Sequence, residues 1–474
     1  MCLVMAGKYP HGKTVPRSNM MRSYLCGNPS RFGRNEGPGY PHFARSNASP
    51  GPETLESRVG MSANVRVMGG KRTSASAPDV GGISLVSLNI VKSFLQVSTR
   101  ALRDAIYRGD ASHPPETHLE AAMEWLCRGQ DAAGGSGVSR SYTLRHMQSH
   151  GRRGWLNAYP ETTGYIIPTF YEYAATTGNA EYRERAGRMA AWEADVQLES
   201  GAVQGGVIGF PPTPAVFNTG QVLFGWSRAF RETGVERLRA SARRAADFLV
   251  EAQEADGVWR RHASQYARAG VNLYDARSAW GLLEAWRVTE DERHRDAARR
   301  NLDYVVSRQH ANGWFPDCCL DDNERPLLHT LAYTMEGLLE AGILLGEPRY
   351  VEAARRPADA LVERLRPDGG LAGRFDASWR PAAGWSCLTG DAQTAIVWLR
   401  LYEETREPRY LDAARRLNRF VSQTQDLRAA DPGVRGGIKG SHPIWGEYGS
   451  YEYLNWAAKF FADALLLELR LGRA

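Results

Sequence analysis

From about residue 116 onward, apolar positions recur at helical spacing in blocks of two kinds. Blocks such as Glu236 to Val250 carry one apolar stripe and a charged face, the pattern of a helix with one side in water. Blocks such as Thr163 to Tyr173 are apolar on most sides, the pattern of a buried helix. The two kinds alternate. The pattern predicts a striped helix over 117–130, then five pairs of an apolar helix with a striped one: 163–176 with 180–197, 219–232 with 236–253, 275–288 with 292–309, 330–344 with 348–365, and 390–404 with 408–423. A lone helix of the apolar kind over 453–470 ends the series.

A period underlies the alternation. Gly201, Gly257, Gly313 and Gly369 stand 56 residues apart, and the turns at Thr177-Gly178, Thr233-Gly234, Thr289-Glu290 and Leu345-Gly346 keep the same step. Two turn signals sharing one period describe a repeated helical hairpin. The series opens with the second helix of a hairpin and closes with the first helix of another, so twelve helices make six hairpins only if the last pairs with the first. An open solenoid would instead end in capping units. The expected fold is all-α, a closed (α/α)6 toroid with the apolar helices inside.

Registered on that period, the inner helices place small residues together at Gly164, Gly220, Ala276, Ala332 and Ala392. One position earlier come Thr163, Thr219, Asp275, Leu331 and Asp391; one later come Tyr165, Gln221, Arg277, Tyr333 and Gln393; two before the first set come Glu161, Phe217, Leu273, His329 and Thr389. Polar groups thus gather at the N-terminal ends of otherwise apolar helices, all at one mouth of the ring. Asp275, Asp391 and the threonines also suit N-capping, which by itself accounts for them. The loops at this mouth carry Trp259, Trp314, Trp379, Trp385 and Trp445, readable as core anchors or as flat faces for a ligand. The segment from Gly436 adds His442, Trp445 and Glu447 and leads into Tyr451, Tyr453 and Asn455.

Hydrolysis of a glycoside calls for two carboxyl groups, drawn here from Glu161, Asp275 and Asp391. Epimerisation or elimination calls for a base, from His329, His442, Tyr451 or Tyr453, with Arg277 or Arg140 to hold a uronate. The candidate catalytic set is therefore Glu161, Asp275, Asp391 and His329. The candidate binding set is Tyr165, Gln221, Arg277, Tyr333, Gln393, Arg140, Trp314, His442, Trp445, Tyr451, Tyr453 and Asn455.

The net charge of +6 changes little once it is located. Residues 1–115 hold 15 Lys and Arg against 6 Asp and Glu, and the remainder holds 44 against 47, so the repeat body offers no basic groove for nucleic acid. Residues 1–82 have the composition of a disordered basic leader, and 83–115 that of an amphipathic helical segment, packed on the domain or lying on a membrane surface through 83–108. No apolar run spans a membrane, no export signal opens the chain, and six scattered cysteines read as reduced thiols; the expected compartment is the cytoplasm. Asp317, Cys318, Cys319 and His329 are zinc-type ligands without a zinc spacing, so neither metal nor cofactor is expected.

The six hairpins, the Asp-Gly-x-Trp turn at Asp256 to Trp259, and the inner-helix starts Glu161-Thr162-Thr163-Gly164 and Leu388-Thr389-Gly390-Asp391 together resemble the six-hairpin glycosidase-like superfamily over residues 116–474. The resemblance implies an active site at the inner-helix N-termini and a carbohydrate-active enzyme on an oligosaccharide or polysaccharide, glycoside hydrolase-like, with uronate substrates included. It implies as alternatives a sugar or uronate epimerase or a polysaccharide lyase. A non-catalytic glycan- or partner-binding toroid and a terpene cyclase or prenyltransferase-like toroid stay open beside it.

Overall fold

The computed structural model describes residues 113–473; the basic leader and the 83–108 segment lie outside them. The described chain opens on α1 (Pro115–Ala132), followed by the strands β1 (Ser141–Met147) and β2 (Arg152–Trp155). Hairpins follow: α2 (Pro160–Thr177) with α3 (Ala180–Asp195), α4 (Val216–Thr233) with α5 (Glu236–Ala252), and α6 (Ala276–Thr289) with α7 (Glu292–Ser307). Next come α8 (Leu328–Leu345) with α9 (Pro348–Val362), then β3 (Ser386–Cys387) and α10 (Leu388–Thr405) with α11 (Pro408–Thr424). The strands β4 (Ser441–His442) and β5 (Glu452–Leu454) lead into α12 (Asn455–Arg473).

The even-numbered helices pack in a circle, α2 on α4, then α6, α8, α10 and α12, and α12 returns to α2. Each also packs on its odd-numbered partner, and α12 takes α1. The fold is the closed (α/α)6 toroid. Among the described residues, no helix is long and apolar enough to cross a membrane.

The repeated Gln-to-Gly phrase is the joint between outer helices. The Gln253 amide donates to Gly257 O at 3.1 Å and to Ala297 O on α7 at 2.9 Å, and Gln197 and Gln309 do the same toward α5 and α9. Gln130 reaches Arg185 O on α3, and Gln425 reaches His118 O on α1 at 3.2 Å, so one device also seals the ring. Between α9 and α11 a substitute appears: Arg416 donates to Arg366 O at 3.1 Å. The turn demands glycine because Gly257 has φ +86° and a Cβ there would lie 2.5 Å from Arg300 O.

Inner helices converge where small residues were expected. A Cβ on Gly220 would stand 2.7 Å from Ser278 Cα, so α4 and α6 touch backbone to side chain. Four of these helices, α2, α4, α8 and α10, begin two or three residues earlier than the pattern predicts, whereas α6 and α12 begin one and two residues later. The N-caps are Tyr159, Ala215, Leu327 and Cys387, and the threonines lie inside the first turn. Thr163 and Thr219 cap nothing; their hydroxyls accept the Val138 and Val203 amides at 2.9 Å and pin the preceding loops.

Two small sheets, unforeseen from the sequence, join the chain ends at the mouth. β1 pairs antiparallel with β2 and with β5, bringing Tyr142 opposite Tyr453, and β3 pairs with β4.

Candidate functional site at the mouth of the ring

A cavity of about 250 Å3 opens among the inner-helix N-termini. Its wall is mostly aromatic: Tyr159, Tyr165, Phe217, Tyr266, Tyr274, Tyr333, Tyr448 and Trp456, with Arg140, Glu161 and His329 as its ionisable groups beside the phenols. Flat apolar faces with a few converging polar groups are the usual make-up of a small-ligand site.

Glu161 lies in the first turn of α2 and is 8% exposed. Its Oε2 accepts the Tyr159 hydroxyl at 2.5 Å, and that hydroxyl accepts from the Asn218 amide at 3.4 Å. One carboxyl oxygen is thereby occupied, and Oε1 is left for a ligand. Burial pushes the Glu161 pKa up to about 7, against the pull of the Tyr159 hydrogen bond and of Arg140 and Arg277. Near neutral pH this carboxyl both holds and yields a proton.

His329 opens α8, its ring 4.3 Å from that of Tyr333 and 5.3 Å from that of Tyr448. Nδ1 shares a hydrogen with Gln393 Oε1 at 2.6 Å, and burial, with Arg277 adding to it, lowers the pKa to about 3 despite that bond. The imidazole is neutral. Arg140 is paired with Glu452 and bonds the Ser141 hydroxyl at 3.1 Å, and its guanidinium lies 5.2 Å from the Trp456 ring.

Of the residues singled out by pattern, Arg140, Glu161, Tyr165, His329 and Tyr333 line the cavity. Gln221, Arg277 and Gln393 do not; they form a buried layer in which Arg277 donates to Gln221 Oε1 at 2.8 Å and pairs with Glu336. Arg277 is 3% exposed and already neutralised by Glu336, so it is not a uronate clamp. Asp391 is wholly buried, facing Arg366 and the Leu371 amide, and burial holds it well above the usual carboxylate range. By register it stands where Thr163 and Thr219 pin loops, yet neither of its carboxyl oxygens makes a hydrogen bond among the described residues. Asp275 sits behind Tyr274; burial raises it to about 8, with the Ser278 hydroxyl opposing.

The loops correct further expectations. Trp314 packs in the core against Trp379, ring centres 5.1 Å apart, and does not line this cavity. His442 lies against Lys439 and Phe420, Tyr453 is a buried strand residue, and Tyr451 stacks under Arg145 at 3.3 Å. Asn455 ties Ser139 O and the Thr162 hydroxyl together at 2.9 and 2.8 Å, and Trp445 is 46% exposed outside the cavity lining. Cys318 turns to Thr334 and Cys319 to Asp321, away from any shared ligand set with His329. Among the described residues, ligand-type atoms gather at Asp247, Asp291 and His294, where Arg293 and Arg243 already pair with the carboxylates.

Pattern reading missed Tyr159, Tyr266, Tyr274, Tyr448 and Trp456. Tyr159 and Tyr274 sit beside the aligned positions Glu161 and Asp275 but outside the registered set, and Tyr266, Tyr448 and Trp456 lie away from it, so the period could not select them.

The ring is an (α/α)6 toroid with an aromatic cavity at the N-terminal ends of its inner helices. Compared by sequence, the chain matches no family model and no curated protein. Compared by structure, it is similar to an unsaturated glucuronyl hydrolase of a Bacillus species described as responsible for glycosaminoglycan degradation, with TM-score 0.60 and 18% identity over 76% of this chain and 97% of that one. It is also similar to a cellobiose 2-epimerase from Bacillus thermoamylovorans, with TM-score 0.59 and 13% identity over 75% and 98%, and to a D-mannose isomerase, with TM-score 0.57 and 15% identity over 76% and 100%.

Proposed function

We propose that residues 116–474 form a carbohydrate-active enzyme, hydrolase-like, that acts on the terminal sugar of an oligosaccharide with Glu161 as its acid and base. The observation that carries this reading is a carboxyl poised at about 7, one oxygen fixed by Tyr159, in an aromatic cavity. About 250 Å3 is near the low end of small-ligand sites, which favours one sugar ring entering end-on over a polymer threading through.

Hydrolysis of a saturated glycoside uses two carboxyl groups across the bond, and among the described residues Glu161 is the only carboxyl lining the cavity. The substrate best matched is therefore one that a single carboxyl can process. An unsaturated uronyl end, whose ring holds an enol ether, needs a proton on carbon and then an activated water, and one group near its pKa supplies both in turn. Arg140, which lines the cavity, is paired with Glu452, so an acidic sugar would meet that ion pair and not a free cation. The structural similarity to unsaturated glucuronyl hydrolases supports this choice.

A second reading has its own observation. His329, a neutral imidazole, and Glu161, able to hold or release a proton, both line the cavity, and removal and return of a carbon-bound proton calls for two such groups, with the Glu161 carboxylate the stronger base. One assay separates the two. The full chain is incubated in D2O with unsaturated uronyl, saturated uronyl and neutral disaccharides and followed by NMR. Release of the terminal sugar is expected; an epimer carrying deuterium favours the second reading, and no turnover or binding of any sugar overturns both.

A further inference from the structure

Four side chains from three inner helices form a buried line that ends in His329. Arg277 on α6 pairs with Glu336 on α8, Gln393 on α10 donates its amide to Glu336 Oε2 at 3.4 Å, and Gln393 Oε1 meets His329 Nδ1 at 2.6 Å. All four are at most 4% exposed, so no solvent substitutes for a missing partner. The direction of every bond then follows from chemistry. Arg277 is a cation with donors only, and the paired Glu336 carboxylate only accepts. Gln393 must therefore turn its NH2 toward Glu336, which leaves its carbonyl oxygen for His329. A carbonyl accepts and never donates, so the hydrogen on Nδ1 belongs to histidine. Nε2 carries the lone pair, and the ring lines the cavity. Gln221 completes the line by accepting Arg277 Nε at 2.8 Å.

We propose that Arg277, Glu336 and Gln393 are positioning residues that lock His329 into the Nδ1–H tautomer and present Nε2 to the cavity as an acceptor. A flipped Gln393 amide places two donors against a histidine hydrogen or two acceptors against each other, so the line has one self-consistent state. Its use as a base or hydroxyl acceptor in sugar chemistry rests on the proposed function; the tautomer itself does not.

The test is 15N NMR on the full chain labelled at histidine, with the His329 signals identified by their loss in His329→Gln. The line predicts a protonated Nδ1 and a bare Nε2 without any substrate present. Gln393→Met, close in shape but unable to accept, should release the ring toward Nε2–H and lower turnover of a responding sugar roughly tenfold or more. Gln393→Glu keeps an acceptor on His329 and should retain the wild-type tautomer. A bare Nδ1 in the unaltered protein overturns the proposal, and so does a Gln393→Met ring with the wild-type tautomer. If no sugar is turned over while the tautomer is as stated, the functional reading fails and the positioning line stands.

Discussion

Two buried carboxyls at the mouth, Glu161 and Asp275, are both held toward the protonated form, and only one faces the cavity. For Asp275 the folded value near 8 lies above the usual 3.8. The stability that goes with proton binding is thus complete at acid pH and lost as pH rises through about 8. Asp275→Asn stays neutral throughout, so its melting temperature should gain on that of the unaltered protein between about pH 6 and pH 9, by more than about 1 kcal/mol in equivalent stability. A pH-independent difference in thermal melts would contradict the burial assignment. Trp314, expected at the site and found in the core, makes a complementary case. Trp314→Ala should cost about 3–5 kcal/mol in denaturant unfolding, with no change in sugar affinity for the folded fraction.

At the scale of elements, the glutamine joints bear on both stability and legibility. Gln253→Leu removes the amide donations to Gly257 O, which keeps Asn301, and to Ala297 O, and should cost roughly 1–3 kcal/mol in urea unfolding. Gln425→Leu, at the seal between the ring's ends, should cost a similar amount. Helix kinds, their order and the pairing of last with first were legible because a 56-residue period repeats the same turn and joint. The short strands were not, since β3, β4 and β5 are two or three residues long and exist only once the ends meet. The starts of α2 and α4 were misplaced by three residues because Thr163 and Thr219, with the chemistry of N-caps, serve instead to pin loops.

For the molecule as a whole, the mouth was legible and the identity of its acid was not. Glu161 and Thr163 are two residues apart, about 200° around a helix, so one faces the cavity and the other the loop behind. Asp391 shares the position of Thr163 and follows it outward. Sequence lists such neighbours side by side, and only the rotation of each helix about its axis separates them. The remaining wall comes from Tyr266, Tyr448 and Trp456, contributed by loops and the closing helix outside the aligned helix positions. The central claim is that Glu161 moves the proton at this mouth. The most direct measurement is kcat/KM for a responding terminal-sugar substrate in the unaltered protein and in Glu161→Gln. The account predicts a fall of about 100-fold or more with sugar binding retained, and a Glu161→Gln enzyme within about twofold of the unaltered one would contradict it.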